Sequence, residues 1–226
     1  MKLVIFDCDG TIVDSQHSIV AAMEAAFAEF GLAAPARTDI VGVVGLSLVP
    51  AVAALAPELP RSAHIDLAER YKLAFQDIRR REAGHEPLYP GARETITALS
   101  RRADVVLGVA TGKSLRGLNA VLAREGLADC FVTLQTADSH PSKPHPSMIH
   151  EAMTSAGVAA ADTVMIGDTT FDMEMARHAR VGAIGVAWGY HPVAALTEAG
   201  ADTVIDEYRQ LEPALASLFG AMEPQS

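Results

Sequence analysis

The sequence predicts an α/β protein: a parallel sheet flanked by helices, with an all-helical unit inserted after the first strand. Two observations carry that reading. From residue 88 onward, short apolar runs rich in β-branched residues alternate with stretches of helical periodicity, the pattern of strands joined by helical crossovers. Between Ser15 and Pro87 the apolar residues recur at helical spacing and nothing reads as a strand. The chain has 226 residues, half of them hydrophobic, enough for one large core or a core plus a smaller second one.

Leu3-Val4-Ile5-Phe6 reads as a short buried strand. It turns polar at Asp7 and meets a breaker at Gly10. Asp14 and Ser15 can cap a helix whose apolar residues Ile19, Met23, Phe27 and Phe30 share a face, with Gly31 as its stop. An Ala- and Pro-rich loop follows. Ser47 to Leu55 gives a second helix, ended by Pro57 and Pro60. Ala68, Tyr71, Phe75 and Ile78 mark a third, running into Arg79-Arg80-Arg81, read as a solvated helix end.

The alternation resumes at Pro90-Gly91. A helix through Ala92, Ile96 and Leu99 leads to the strand Val105 to Ala110, then a helix from Ser114 to about Arg124. Phe131 to Leu134 is the next strand, and a helix opened by Pro144 runs to Ala156, closed by Gly157. Thr163 to Ile166 is a strand followed by a helix from Phe171 to Arg180. Ala183 to Val186 and Thr203 to Ile205 are short strands around a helix near His191 to Ala199, and Leu211 to Phe219 closes the chain as a helix. The expected architecture is a Rossmann-like core of residues 1–14 and 88–226, with a helical cap of residues 15–87.

The net charge of −10 disfavours nucleic acid and anionic membrane surfaces as partners. No apolar run approaches membrane length, and the first strand leaves no room for a signal segment, so a cytoplasmic location is expected. Cys8 and Cys130 read as reduced thiols in apolar stretches.

In open parallel sheets ligands bind at the carboxyl ends of the strands. The first strand ends in Asp7, Asp9, Gly10 and Thr11; the second in Thr111, Gly112 and Lys113. Lys143-Pro144 follows the third, and Gly167-Asp168 with Asp172 follows the fourth. Two carboxylates as close as Asp7 and Asp9 need a cation between them or a shared proton. Carboxylates at one edge suit Mg²⁺, while an ammonium, a hydroxyl and glycine-loop N–H groups suit phosphate oxygens. The set suits phosphoryl transfer.

In their order and spacing, Asp7-Cys8-Asp9-Gly10-Thr11, then Thr111, Lys143, and Gly167-Asp168 with Asp172 resemble the four motifs of the haloacid dehalogenase-like hydrolase superfamily. The helical insert resembles that of its phosphoglycolate-phosphatase-like members. The resemblance implies a Mg²⁺-dependent phosphatase acting on a small phosphorylated metabolite. It implies Asp7 as nucleophile, Asp9 as acid and base, Thr111 as a donor to the phosphoryl group, and Lys143 as the balancing charge. Asp7, the Asp9 carbonyl and Asp168 would hold the metal, supported by Asp172. Gly10, Thr11, Gly112 and Lys113 are the remaining substrate-binding candidates on the core. Gly45 and Leu46, in the loop-like stretch Gly42 to Ser47, are those on the cap.

Each residue also has a plainer reading. Asp7 and Asp9 could cap a turn, Asp168 and Asp172 could be first-turn acids, and Thr111 could cap a helix. Lys113 also lies at the crevice edge and competes with Lys143 for the motif lysine. His140, His145 and His150 lack zinc spacing and read as surface or helix-end residues. A phosphomutase or a non-catalytic phosphate sensor is the alternative, and Asp9 argues against a dehalogenase. A monomer or a homodimer is compatible with the sequence.

Overall fold

The computed structural model describes residues 1–81 and 86–222. Residues 82–85, part of the expected junction between cap and core, lie outside the described residues, as does the side chain of Arg81. The elements run β1 (Lys2–Phe6), α1 (Gln16–Glu29), α2 (Arg37–Gly42), α3 (Leu48–Leu55), α4 (Arg61–Arg81), α5 (Ala92–Ser100), β2 (Val105–Thr111) and α6 (Leu115–Glu125). They continue with β3 (Thr133–Thr136), α7 (Ser147–Ala156), β4 (Thr163–Gly167), α8 (Thr170–Ala179), β5 (Gly182–Val186), α9 (Val193–Glu198), β6 (Thr203–Ile205) and α10 (Leu211–Met222).

Among the described residues six strands form one parallel sheet, in the order β3-β2-β1-β4-β5-β6. β1 is central because it is apolar on both faces. Val4 and Phe6 enter the core on one side of the sheet, Leu3 and Ile5 the core on the other. Phe6 pairs in register with Val109 of β2 and with Ile166 of β4. The chain leaves β1 between β2 and β4, so the residues that follow these three strands open onto one crevice at the switch point. A third core lies among the inserted helices, where Met23, Phe27, Ile40, Val52 and Leu67 pack together.

Among the described residues four helices occupy the insert, and one was not expected. The Ala- and Pro-rich stretch contains α2, a short helix held by its buried pair Ile40 and Val41. β3 begins two residues later than expected, because Phe131 is withdrawn into the core. Its ring meets Phe6 edge-on at 6.3 Å, leaving Thr133–Thr136 to pair with β2. α7 starts at Ser147 rather than Pro144: His145 N–H closes a turn on Ser142 O at 3.1 Å, and Pro146 stands at the helix start. Among the described residues no helix is long and apolar enough to cross a membrane.

Candidate active site

The turn after β1 is built so that Asp7 and Asp9 face different neighbours. The Ile12 and Val13 N–H groups both donate to Cys8 O, and Gly10 N–H donates to Val13 O. Trp188 Nε1 and Tyr208 Oη both donate to Thr11 O, at 3.1 and 2.8 Å, and fix the turn from outside. Gly10 has φ +88°, and a Cβ there would lie 2.2 Å from Asp168 Oδ2. No side chain fits between the turn and that carboxylate.

Asp7, Asp168 and Asp172 are all buried, and each offers a carboxylate oxygen within 4.8 Å of the other two. Lys143 Nζ sits among them, 2.6 Å from Asp172 Oδ1 and 2.9 Å from Asp7 Oδ1. The second contact is an ion pair without hydrogen-bond alignment, so neither oxygen of Asp7 accepts a hydrogen bond. Asp168 takes the Thr11 hydroxyl at 2.8 Å and Tyr190 N–H at 2.9 Å. Asp172 accepts Thr169 N–H and hydroxyl through Oδ2, at 3.1 and 2.7 Å. The plainer reading of Asp172 therefore also holds, since it completes the capping box of α8 while its other oxygen pairs with Lys143.

Three buried carboxylates face one ammonium here, and two of them, Asp7 and Asp168, titrate high. Burial pushes Asp7 up to about 6, against the pull of Lys143. Burial, then the charges of Asp7 and Asp172, lifts Asp168 well above the usual carboxylate range. Burial lowers Lys143, but Asp172 and Asp7 outweigh it and hold the ammonium charged. Hard oxygen donors with surplus negative charge, one of them lacking any hydrogen bond, fit a divalent cation such as Mg²⁺.

Asp9 stands apart from this group. Its Oδ1 lies 2.9 Å from Lys113 Nζ and accepts the Ser15 hydroxyl at 2.5 Å. Ser15 therefore does not cap α1 with its side chain; Asp14 Oδ1 accepts Gln16 N–H at 3.2 Å instead. Tyr190 Oη sits 3.2 Å from both the Ser15 hydroxyl and its N–H. The helix-cap reading of Thr111 fails, because Ser114 caps α6 and the Thr111 hydroxyl accepts Lys113 N–H at 3.2 Å.

Asp7, Asp9, Thr111, Gly112 and Lys113 line a cleft of about 880 Å³, bordered on the side of the helical insert by Gly45 and Leu46 among others. Gly112 touches that segment: a Cβ on it would lie 2.7 Å from both Gly45 O and Leu46 O. Ser47 N–H donates to Ser142 Oγ at 2.8 Å, a second link between insert and core. One expectation needs narrowing and another needs correction. The Thr11 hydroxyl is spent on Asp168, and Gly10 is packed against the same carboxylate, so a contact of either with substrate rests on its backbone. Arg79 is no solvated helix end but lines the cleft beside Glu86; Arg80 also borders the cleft, with an exposed side chain. His140 bonds Ser147 Oγ and Gln135 Oε1, and His145 accepts Ser147 N–H, both local roles.

Sequence reasoning assigned no role to Tyr190, Thr169, Ser142 or Glu86. Each sits in a loop or helix end without a motif, and only Thr169, three residues before Asp172 in a capping-box pattern, carried a local signal.

A parallel sheet whose switch point gathers acids from two strands and a lysine from a third defines an α/β enzyme of the phosphoryl-transfer or related hydrolytic kind. The profile described as haloacid dehalogenase-like hydrolase matches residues 4–186, and the chain belongs to that family. It is 35% identical over 220 residues to "Probable phosphatase IndB" of Dickeya dadantii, covering 96% of this chain and 94% of the relative. It is 33% identical over 218 residues to phosphoglycolate phosphatase of Agrobacterium fabrum, covering 94% and 91%. The fold matches the crystal structure of a hydrolase from Pseudomonas syringae with a TM-score of 0.85 at 24% identity, covering 96% and 99% of the two chains.

Proposed function

We propose that the chain is a Mg²⁺-dependent phosphatase that hydrolyses the phosphate monoester of a small metabolite through an aspartyl-phosphate on Asp7. The observation that carries this is the state of Asp7 itself. Its oxygens are buried, accept no hydrogen bond, and face Lys143 at the head of the cleft. A carboxylate so placed is costly unless its lone pairs have work to do. The relatives named phosphatase support the same reaction class.

An Asp7 oxygen attacks phosphorus, and the P–O bond to the leaving group breaks. Asp9 delivers a proton to the departing oxygen, then takes one from the water that attacks the acyl phosphate and releases inorganic phosphate. The Thr111 hydroxyl donates to a phosphoryl oxygen. Lys143, held by Asp172, balances charge on Asp7 and on the phosphoryl group. Asp7, Asp168 and the Asp9 carbonyl would hold Mg²⁺, with Asp172 in support, and the ion would neutralise charge between two anionic reactants. The helical insert, residues 15–87, serves as a cap that excludes water during the first displacement.

The test is to quench the protein in acid during turnover of p-nitrophenyl phosphate with Mg²⁺ and map the phosphoryl adduct by mass spectrometry. An adduct on the peptide containing Asp7, absent without Mg²⁺ and in Asp7→Asn, is the expected result. Turnover with no adduct on that peptide would falsify the covalent mechanism.

A further inference from the structure

The cleft is larger than the phosphoryl site needs, and its charge runs against that of the chain. Its volume of about 880 Å³ is that of pockets enclosing drug-sized molecules, roughly 300–1,000 Å³. One wall is apolar, formed by Met23, Leu48 and the rings of Tyr71 and Phe75, which stack with centroids 5.7 Å apart. The chain carries a net charge of −10, yet six cations line the cleft against three carboxylates. Of those six, Lys113 answers Asp9, while Arg79 and Arg124 flank a single buried acid.

That acid is Glu86. Its side chain is fully buried, 3.6 Å from Arg79 Nε and 3.7 Å from Arg124 Nη1, and neither of its oxygens accepts a hydrogen bond. Arg124 is engaged elsewhere as well, through Nη2 to Glu86 O and Nε to Glu125, each at 2.7 Å. Among the described residues Arg79 meets only Glu86, and its terminal nitrogens make no hydrogen bond. Glu86 thus steers the Arg79 guanidinium by charge without consuming its donors. A guanidinium held in this way matches a planar or tetrahedral anion, which can accept two parallel N–H groups.

Resting on the phosphatase reading, we propose that Arg79 anchors a second anionic group on the leaving group. The Tyr71 and Phe75 wall holds a ring-sized apolar body between that anion and the phosphoryl site. The substrate class is then a ring-bearing phosphate monoester with a distal carboxylate or phosphate, bulkier than the two-carbon phosphoglycolate. Arg79 is a specificity residue in this scheme, and Glu86 is a positioning residue acting through it.

The experiment compares kcat/KM for phenyl phosphate, 4-carboxyphenyl phosphate, 1,4-phenylene bisphosphate and phosphoglycolate. It uses the parent chain, Arg79→Leu and Arg79→Lys, each checked by circular dichroism. At least one of the two anionic aryl esters should exceed phenyl phosphate by about tenfold, the discrimination a charge-assisted hydrogen bond supplies, mainly through KM. Which ester gains tells carboxylate from phosphate, and phosphoglycolate should trail both gains. In Arg79→Leu the ratio of anionic to neutral ester should fall to within about twofold, and Arg79→Lys should keep part of it. Equal turnover of all three aryl esters, a ratio that survives Arg79→Leu, or a preference for phosphoglycolate overturns the anchor and spares the phosphatase reading. If Arg79→Leu does not fold, the parent ratios and Arg79→Lys decide. Turnover of no ester, with no adduct on Asp7, overturns both.

Discussion

Lys113 Nζ lies 2.9 Å from Asp9 Oδ1, and this nearly buried ion pair keeps the Asp9 carboxylate out of the group formed by Asp7, Asp168 and Asp172. Lys113 also lies over the Phe75 ring of α4, 5.3 Å from its centroid, so one side chain touches both the proposed proton-transfer group and the helical insert. Positioned proton transfer contributes roughly 10²–10⁴-fold to reactions of this kind. Lys113→Met should therefore lower kcat/KM by about tenfold or more for alkyl phosphates, whose leaving oxygen needs a proton. The loss should be smaller for p-nitrophenyl phosphate. Steady-state rates across leaving groups check this, and an equal loss for both classes would count against the assignment.

Asp7→Asn should reduce kcat by about three orders of magnitude or more, because an amide cannot displace the leaving oxygen. The same variant should melt at a higher temperature than the parent in metal-free buffer. Burial pushes Asp7 up to about 6, so its ionised form is unfavourable in the folded state. A calorimetric scan beside the kinetics separates lost chemistry from lost structure, and a lower melting temperature would contradict the electrostatic account.

The same shift sets a pH dependence. Asp7 rises from 3.8 to about 6 on folding, and Asp168 moves in the same direction. Between those values the folded protein holds protons that the unfolded chain has released, so metal-free stability falls as pH rises through that window. Mg²⁺ bound as proposed would displace those protons and relieve the repulsion. The Mg²⁺-induced rise in melting temperature should accordingly be larger at about pH 7.5 than near pH 5, as binding linkage requires. In Asp7→Asn the difference should shrink.

Lys143→Met removes the ammonium from between Asp7 and Asp172, both buried. Breaking a buried pair from one side costs about 3–5 kcal/mol. Urea denaturation at neutral pH should show a loss of that order, with a smaller loss in mild acid where Asp7 takes up a proton. Activity should vanish in parallel. A fully stable but inactive variant would mean that Lys143 acts only on the phosphoryl group.

Gly112→Ala places a methyl group 2.7 Å from both Gly45 O and Leu46 O. Neither backbone can yield without moving the segment that closes the cleft. Overpacking of this kind costs about 1–3 kcal/mol, and most of it should appear as a raised KM rather than a lowered melting temperature, since the insert has its own core. Unchanged kinetics would show that Gly45 and Leu46 do not help shape the closed cleft.

The strands, the helical insert and the acids at the strand ends were legible because each is a local pattern. Leu3 to Phe6 is apolar on both faces and stops at Asp7, and such a run reads the same in any context. α2 was illegible because a six-residue helix rests on two buried side chains rather than on a repeating face. Phe131 was misplaced because an aromatic residue before a strand looks like part of it, until Phe6 is known to lie across the way.

By itself, then, the sequence determined the order and type of the elements, and which residues end each strand. Only the tertiary structure decided who meets whom there. Ser15 gives its hydroxyl to Asp9 instead of its helix, Lys113 pairs with Asp9 while Lys143 pairs with Asp7 and Asp172, and Glu86 lies beside Arg79 at the cleft. The physical reason is one of range. Periodicity and capping act over a few residues of chain, whereas ion pairs and hydrogen bonds at a sheet edge depend on which strands are neighbours, here β2 and β4 on either side of β1.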